Sequence, residues 1–140
     1  ISYLTIEQKG SIPIELREKL GSLLYGCDIC QDVCPWNIRF AKAHTEPAFD
    51  AREVIADRDA ATLARAILAM GPDDFRAHFK GSPMKRAKQR GLARNAAVVL
   101  GNVGDESDIA LLDQVARGHD PLVREHAVWA MEQLARTDAQ

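Results

Sequence analysis

Apolar residues recur three and four positions apart over much of the chain, which is the spacing of helices that bury one face. Residues 59–70 show this pattern, and the Gly71-Pro72 pair that follows ends it. Asp73 is then expected to cap a further helix that carries two phenylalanines. These periods predict a mainly α fold.

The first residues have a different pattern. Residues 1–4 are strand-like or extended, and a helix is expected to follow with Ser11 as its N-cap and Pro13 in its first turn. The apolar stripe of that helix consists of Leu16, Leu20, Leu23 and Leu24. Because the chain opens on Ile1 in such a stretch, we expect it to continue upstream in a longer protein.

The last third of the chain contains an internal repeat of 30 residues. With that shift, Leu92, Arg94, Ala97 and Val98 fall on Leu122, Arg124, Ala127 and Val128. An amphipathic stretch, residues 109–115, lies between the two units. Each unit is thus a helical hairpin whose apolar face needs a neighbour, as in a solenoid, and the units resemble short HEAT-like repeats. The alternative is an unrelated three-helix bundle with chance matches.

The composition is that of a folded chain, with 46% hydrophobic and 27% charged residues. No apolar run approaches the roughly 18 residues that a membrane span requires. The chain also lacks the basic, apolar and small-residue order of a secretory signal. We therefore expect a cytoplasmic protein that does not enter the membrane and that acts as a monomer.

The formal net charge of −2 conceals a basic segment. No acidic residue occurs between Asp74 and Asp105. That stretch contains seven basic residues: Arg76, Lys80, Lys85, Arg86, Lys88, Arg90 and Arg94. Such a segment fits the phosphates of a nucleic acid, although a solvated helix face is the alternative.

Within the basic segment, Ser82 and Pro83 are expected to open a short helix that Gly91 ends. The spacing then places Lys85 beside Lys88, and Arg86 beside Arg90, on neighbouring strips of its surface. Six side chains are the candidate RNA contacts: Lys80, Lys85, Arg86, Lys88, Arg90 and Arg94. Asn95 follows them and is a candidate for a structural role.

The three cysteines lie close together, at Cys27, Cys30 and Cys34, and Pro35 follows the last. This spacing matches the final part of the ferredoxin run C-x2-C-x2-C-x3-C-P, whose fourth cysteine ligates the other of two [4Fe–4S] clusters. Leu24 occupies the position of the first cysteine of that run. Each cube takes four ligands, so we expect the missing thiolates upstream of Ile1.

Two other interpretations of the cysteines remain open. The three thiols are free and reduced in a core, or they form a zinc site with His44 as the fourth ligand. A disulfide framework is disfavoured by the odd count and by the lack of a secretory signal. Trp36, next to the cysteines, either shields a cluster edge or belongs to the core.

Three stretches, in this order, resemble the epoxyqueuosine reductase family. They are residues 1–7 (ISYLTIE) with 9–13 (KGSIP), residues 25–37 (YGCDICQDVCPWN), and residues 79–88 (FKGSPMKRAK) running into 91–95 (GLARN). The ferredoxin motif alone would be weak evidence. All three stretches followed by HEAT-like repeats make the likeness specific, and it covers essentially the whole chain.

The resemblance implies a cobalamin-binding domain first, a two-cluster ferredoxin-like domain next and helical repeats last. Residues 1–45 would be the C-terminal half of the ferredoxin-like domain, residues 46–75 a helical connector, and residues 76–140 the HEAT-like repeats with the basic segment. Cys27 and Cys30 would ligate the second cluster, together with a cysteine directly before Ile1 and one more upstream. Cys34 would complete the first cluster.

The resemblance also implies an oxidoreductase acting on the anticodon region of tRNA. Two [4Fe–4S] clusters would pass electrons from a cellular donor to cobalamin, and the epoxide of epoxyqueuosine would become the alkene of queuosine. The catalytic acid of the family lies upstream, so we expect no catalytic residue here and an inactive fragment.

Two other functions are the alternatives. A non-catalytic ferredoxin electron-transfer module with a protein-binding helical solenoid has no need of the basic segment. Reductive dehalogenases share cobalamin and two clusters, but neither the repeats nor the GSPMKR stretch is expected of them.

Overall fold

The structure, a computed structural model, describes residues 1–43 and 45–137. Eight α-helices are numbered in chain order: α1 (Ile14–Arg17), α2 (Ile29–Asp32), α3 (Pro35–Phe40), α4 (Ala60–Ala69), α5 (Pro72–His78), α6 (Lys88–Val103), α7 (Ile109–Ala116) and α8 (Pro121–Thr137). A π-helix covers Tyr3–Glu7, and four 3-10 helices cover Glu18–Leu20, Pro47–Phe49, Pro83–Ala87 and Glu106–Asp108. No strand occurs in the described ranges, and the prediction of a mainly helical chain is confirmed.

Helix α6 is the centre of the core. Helices α4 and α8 pack against it, α7 packs against α8, and the N-terminal π-helix and 3-10 helix cover a further side. A side chain on Gly101 would place its Cβ 2.8 Å from Trp129 and 2.9 Å from the backbone of Ala130. Glycine at this position therefore lets α6 and α8 approach each other closely.

Several helix starts follow from local side-chain chemistry. The carboxylate of Asp59 accepts a hydrogen bond from the Thr62 N–H at 2.7 Å and caps α4. The Ser82 hydroxyl likewise accepts from the Met84 N–H at 3.2 Å and caps the 3-10 helix Pro83–Ala87. Among the described residues, no helix is long and apolar enough to cross a membrane.

The prediction for the first residues is wrong. They form a π-helix rather than an extended segment, with the Thr5 side chain buried inside it. The next helix, α1, begins only at Ile14, so Pro13 rather than Ser11 occupies its N-cap position, and the Ser11 hydroxyl donates to Glu125 at 2.7 Å. Because α1 and the following 3-10 helix end at Leu20, the predicted apolar stripe extends beyond the helix.

Two other predicted boundaries are also wrong. Helix α5 is capped by Gly71 rather than by Asp73, and the carboxylate of Asp74 accepts the Gly71 N–H at 3.2 Å. Gly91 does not end a helix, because it lies buried inside α6. A Cβ added at Gly91 would lie 3.5 Å from the Cβ of Ala87, which is an ordinary contact distance.

The positions of the internal repeat lie on α6 and α8, but their surroundings differ. Arg94 and Val98 on α6 are fully buried, whereas Arg124 and Val128 on α8 are exposed. In the described part, α6 is contacted by α4, α8 and three shorter helices, whereas α8 is contacted mainly by α6 and α7. The HEAT-like classification and the boundaries of the three predicted segments stay predictions.

Candidate functional site

The three cysteines lie around two short helices. Cys27 precedes α2 and is half-buried, Cys30 lies in α2 and is exposed, and Cys34 is half-buried directly before α3. Pro35 opens α3, where the missing N–H of proline costs no hydrogen bond. All three thiols are free.

Leu24, at the position of the first cysteine of the ferredoxin run, is part of the core. Its side chain is 6% exposed and belongs to the hydrophobic core. Gly26, directly before Cys27, has φ 76°, a left-handed conformation that glycine adopts without strain. The chain therefore leaves the core at Leu24 and turns at Gly26 into the cysteines.

The chemistry of the thiols fits iron–sulfur ligation. Cysteine thiolates are the usual ligands of [4Fe–4S] clusters, and the spacing is that of a two-cluster run. In the part of the chain that the structure describes, no three His, Cys, Asp or Glu side chains lie close enough to hold one metal ion. The three cysteines thus fit incomplete ligand sets better than a closed zinc site. His44, the fourth ligand of the zinc alternative, lies outside the described residues.

Large apolar side chains around the cysteines are exposed. Trp36 is 71% exposed and stacks on Phe40, with ring centroids 5.3 Å apart. The neighbouring exposed residues are Ile29, Val33 and Ile38. The interpretation of Trp36 as a core residue is therefore wrong, and shielding of a cluster edge stays a prediction.

Three lysines of the basic segment are free to meet an anion. Lys80, Lys85 and Lys88 are exposed and form no ion pair with any described residue. Lys85 belongs to the 3-10 helix Pro83–Ala87, and Lys88 lies at its junction with α6. This part of the basic segment keeps its full positive charge at the surface.

The arginines of the segment have intramolecular partners. Arg86 pairs with Glu7 at 2.7 Å, and Arg90 pairs with Asp120 at 2.7 Å. Arg76 pairs with Asp73 one helical turn away. Arg86 and Arg90 pair with different partners, and the irregular backbone conformation at Lys88 separates their two helices. They therefore do not form the predicted strip along one helix.

The prediction of Arg94 as an RNA contact is wrong, because Arg94 does not reach the surface. Its side chain is fully buried, and its guanidinium donates to the carbonyl oxygens of Leu4, Gln8 and Gly10 at 2.6 to 2.8 Å. Burial, together with the charge of Arg90, lowers the pKa of Arg94 to about 10. It remains a cation at neutral pH, but its donors are directed into the protein.

Lys88 has an unusual backbone conformation. Its φ is 62° and its ψ is 163°, a region that is essentially restricted to glycine. A lysine held there is strained, and such strain occurs preferentially at functional positions. The conformation separates the 3-10 helix from α6 and explains why the predicted Lys85 and Lys88 pair does not share one helix.

Lys9 is a basic neighbour that the sequence did not single out. Its ammonium donates to the Arg86 carbonyl at 3.2 Å, so it lies against the basic segment from across the chain. A surface cavity of about 230 Å³ is lined by Lys9, Lys88 and Arg90 with neighbouring residues. Nothing in the local sequence around Lys9 indicates this proximity, because the contact spans 77 positions.

Comparison with known proteins first indicates the class of iron–sulfur domain to which the cysteine segment is similar. Residues 1–37 match the family described as a 4Fe-4S double cluster binding domain, a match that includes all three cysteines. The chemistry of the thiols and this match point to the same kind of iron–sulfur protein.

The longer matches are more specific. Two curated relatives named epoxyqueuosine reductase are each 42% identical to this chain. The one from Xanthomonas campestris pv. campestris matches 95% of this chain and 36% of its own length, and the one from Pseudomonas aeruginosa 98% and 37%. A crystal structure of epoxyqueuosine reductase with a tRNA-Tyr epoxyqueuosine-modified tRNA stem loop superimposes with a TM-score of 0.83 at 30% identity, covering 95% of this chain and 34% of that one.

The chain therefore spans about a third of the length of the curated relatives it matches. It matches their C-terminal part. The predicted resemblance to the epoxyqueuosine reductases is confirmed over nearly the whole chain.

Proposed function

We propose that this chain is the C-terminal part of an epoxyqueuosine reductase, in which it completes two [4Fe–4S] clusters and binds tRNA. The observation that carries the proposal is the trio Cys27, Cys30 and Cys34, at two-cluster spacing, within a match that covers nearly the whole chain. Neither the motif nor the match alone would give both the cofactor and the substrate. We place the protein in the cytoplasm as a monomer.

The clusters take their remaining ligands from upstream cysteines. Cys27 and Cys30 contribute to one cluster and Cys34 to the other, as the family pattern implies. Reduction of an epoxide to an alkene consumes two electrons and two protons and releases water, and the electrons come from a cellular donor through the clusters. Cobalamin, held mainly by the part of the relatives outside this chain, supplies the reducing chemistry at the epoxide. No residue of this chain is assigned to it.

The exposed basic surface meets the phosphates of the tRNA stem. A-form RNA is recognised largely through its shape and backbone, so lysines without intramolecular partners are the appropriate contacts. Lys80, Lys85 and Lys88 form no ion pair with any residue in 1–43 or 45–137, and Lys9 lies beside the segment that contains them. Arg86 and Arg90 reach the same surface, but each must give up an intramolecular ion pair in order to bind a phosphate. Their contribution to RNA binding is therefore weaker.

The proposal is tested with the complete natural protein, purified without oxygen and supplied with cobalamin, a chemical reductant and an epoxyqueuosine-containing stem loop. Queuosine, measured by mass spectrometry of the digested RNA, is the expected product. Replacing Cys34 by serine is expected to abolish turnover while leaving RNA binding unchanged. If the clusters are reduced normally but no queuosine forms, the result would instead support the non-catalytic electron-transfer module.

A further inference from the structure

The residues directly before Cys27 are held at three consecutive positions. Their partners lie elsewhere in the chain: Leu24 O accepts from Asn95 Nδ2 at 3.0 Å, the Tyr25 hydroxyl donates to Pro83 O at 2.7 Å, and the Gly26 N–H donates to Thr5 Oγ1 at 3.0 Å. The polypeptide is thus fixed up to the residue that precedes the first thiol.

Asn95 is the hub of these contacts. Its Nδ2 donates both to Leu24 O and, at 2.7 Å, to Thr5 O. It therefore holds Leu24 and also Thr5, whose hydroxyl accepts the hydrogen bond from the Gly26 N–H. Its Oδ1 accepts from Nε and Nη2 of Arg94 at 3.0 and 2.8 Å. Every hydrogen-bonding position of the amide is therefore used. Because a guanidinium can only donate, Arg94 fixes which end of the amide faces the carbonyls.

The network is built to be rigid. Asn95 and Arg94 are fully buried, so no water competes for the donors. Both residues lie in the middle of α6, the central helix of the core. In contrast, Cys30 is exposed and lies in a helix of four residues, which has little packing of its own. The position of the cysteines relative to the core is therefore set by the residues that precede Cys27.

We propose that Asn95 is a positioning residue for the iron–sulfur ligands: by holding Leu24 and Thr5 it sets where Cys27 leaves the core and how its thiolate meets the cluster. The inference rests on the proposed function for the identity of the cofactor. Side chains that orient metal ligands without touching the metal are typically worth about 10-fold to 100-fold in metal affinity or activity.

The test uses the complete protein with Asn95→Asp. Aspartate has the shape of asparagine and keeps an acceptor for Arg94, but it has no donor for Leu24 O or Thr5 O. Thr5→Val, which removes the acceptor of the Gly26 N–H at nearly constant volume, is a second variant that keeps the test decisive if the first does not fold.

The matched control is Asn102→Asp on the same helix. Asn102 Nδ2 also donates to two carbonyls, of Arg17 at 2.9 Å and Gly21 at 3.2 Å, but these lie at the end of α1 and directly after the 3-10 helix Glu18–Leu20. The control therefore loses the same chemistry at a site that does not lead directly into the cysteines.

Three readouts separate positioning from general destabilisation. They are the EPR spectrum of the reduced clusters, the rate of iron loss to a chelator, and hydrogen exchange at Gly26 and Cys27. Asn95→Asp and Thr5→Val are expected to alter the EPR spectrum, to accelerate iron loss about tenfold and to speed the exchange, while Asn102→Asp changes none of them.

The proposal is overturned if faster exchange leaves the cluster spectrum and iron loss unchanged, if none of the readouts moves, or if Asn102→Asp reproduces the effects. Failure of the proposed function has a different outcome. In that case the unaltered protein itself contains no iron–sulfur cluster.

Discussion

The imidazole of His126 accepts a hydrogen bond from the backbone N–H of Ile12 across 3.1 Å, joining α8 to the segment before α1. Its other nitrogen, Nδ1, lies 2.7 Å from Leu122 O and donates to it, so the ring is neutral when both bonds are made. The pKa of His126 is lowered to about 4, mainly by burial; the nearby Arg17 acts in the same direction, while the hydrogen bond to Leu122 O and the charge of Glu125 oppose the effect. The residue is thus a structural histidine rather than a metal ligand.

This relationship predicts a pH-dependent stability. The unfolded state takes up a proton near the ordinary histidine pKa of 6.5, whereas the folded state does so only near 4. The stability contributed by the neutral ring is therefore complete above 6.5 and is lost as the pH falls toward 4. The slope is at most about 1.4 kcal/mol per pH unit. Native-state hydrogen exchange at amides of α6 and α8 measures it.

The matching variant for that measurement is His126→Gln, which keeps a donor and an acceptor but does not titrate. It is expected to flatten the pH dependence between 4 and 6.5. His78→Gln is the control, because His78 is exposed. An unaltered slope in His126→Gln would show that other groups cause the pH dependence.

The close approach of α6 and α8 predicts opposite effects for two glycines of the same helix. Gly101→Ala places a Cβ against Trp129 and the backbone of Ala130, so we expect a loss of about 1 to 3 kcal/mol from overpacking. Gly91→Ala meets only ordinary contact with Ala87 and is expected to gain about 1 kcal/mol from helix propensity. Urea unfolding measures both, and equal effects of the two variants would contradict the packing described.

The free lysines predict the salt dependence of RNA binding. Each phosphate contact contributes about 0.7 to 0.9 to the slope of log affinity against log salt. Lys85→Gln with Lys88→Gln is therefore expected to weaken binding of a tRNA stem loop at low salt and to reduce that slope by about 1.5. Fluorescence anisotropy over a salt series measures both quantities in the complete protein.

Lys19→Gln is the control for that series. Glu18, next to it, contacts Gln133 near the end of α8, whereas Arg90 pairs with Asp120 just before α8 begins. Lys19 therefore lies at the opposite end of that helix from the basic surface. If the control lowers the slope as much as the double variant, the binding surface is not the one described.

The strained backbone at Lys88 predicts a conflict between stability and binding. Lys88→Gly removes a strain of about 1 to 3 kcal/mol and is expected to raise the free energy of unfolding, while it weakens RNA binding by removing the charge. Lys88→Gln is expected to weaken binding equally without the gain in stability. A glycine variant that binds RNA normally would remove Lys88 from the interface, and one that is less stable would contradict the strain.

The cysteine site could be predicted from sequence because its chemistry is local. Cys27, Cys30 and Cys34 lie within eight residues, and the match to a double-cluster family confirms the class of site they indicate. The cap of α4 by Asp59 was predictable for the same reason, since donor and acceptor are three positions apart.

The remaining features depend on contacts between distant residues. The π-helix at the start of the chain lies against Arg94 and Asn95, which donate hydrogen bonds to its carbonyl oxygens from about 90 positions away. A count of charges treats Arg94 and Lys88 alike, although one is fully buried and the other is exposed. Only the packing of the first residues on α6 distinguishes the two.

The proposed ligation of two iron–sulfur cubes by Cys27, Cys30 and Cys34 is tested by the iron and acid-labile sulfide content of the complete protein purified without oxygen, compared with its Cys30→Ser variant. About eight iron atoms per protein are expected, with the loss of about half of them in the variant. Zinc in place of iron, no metal at all, or an iron content unaffected by the substitution would contradict it.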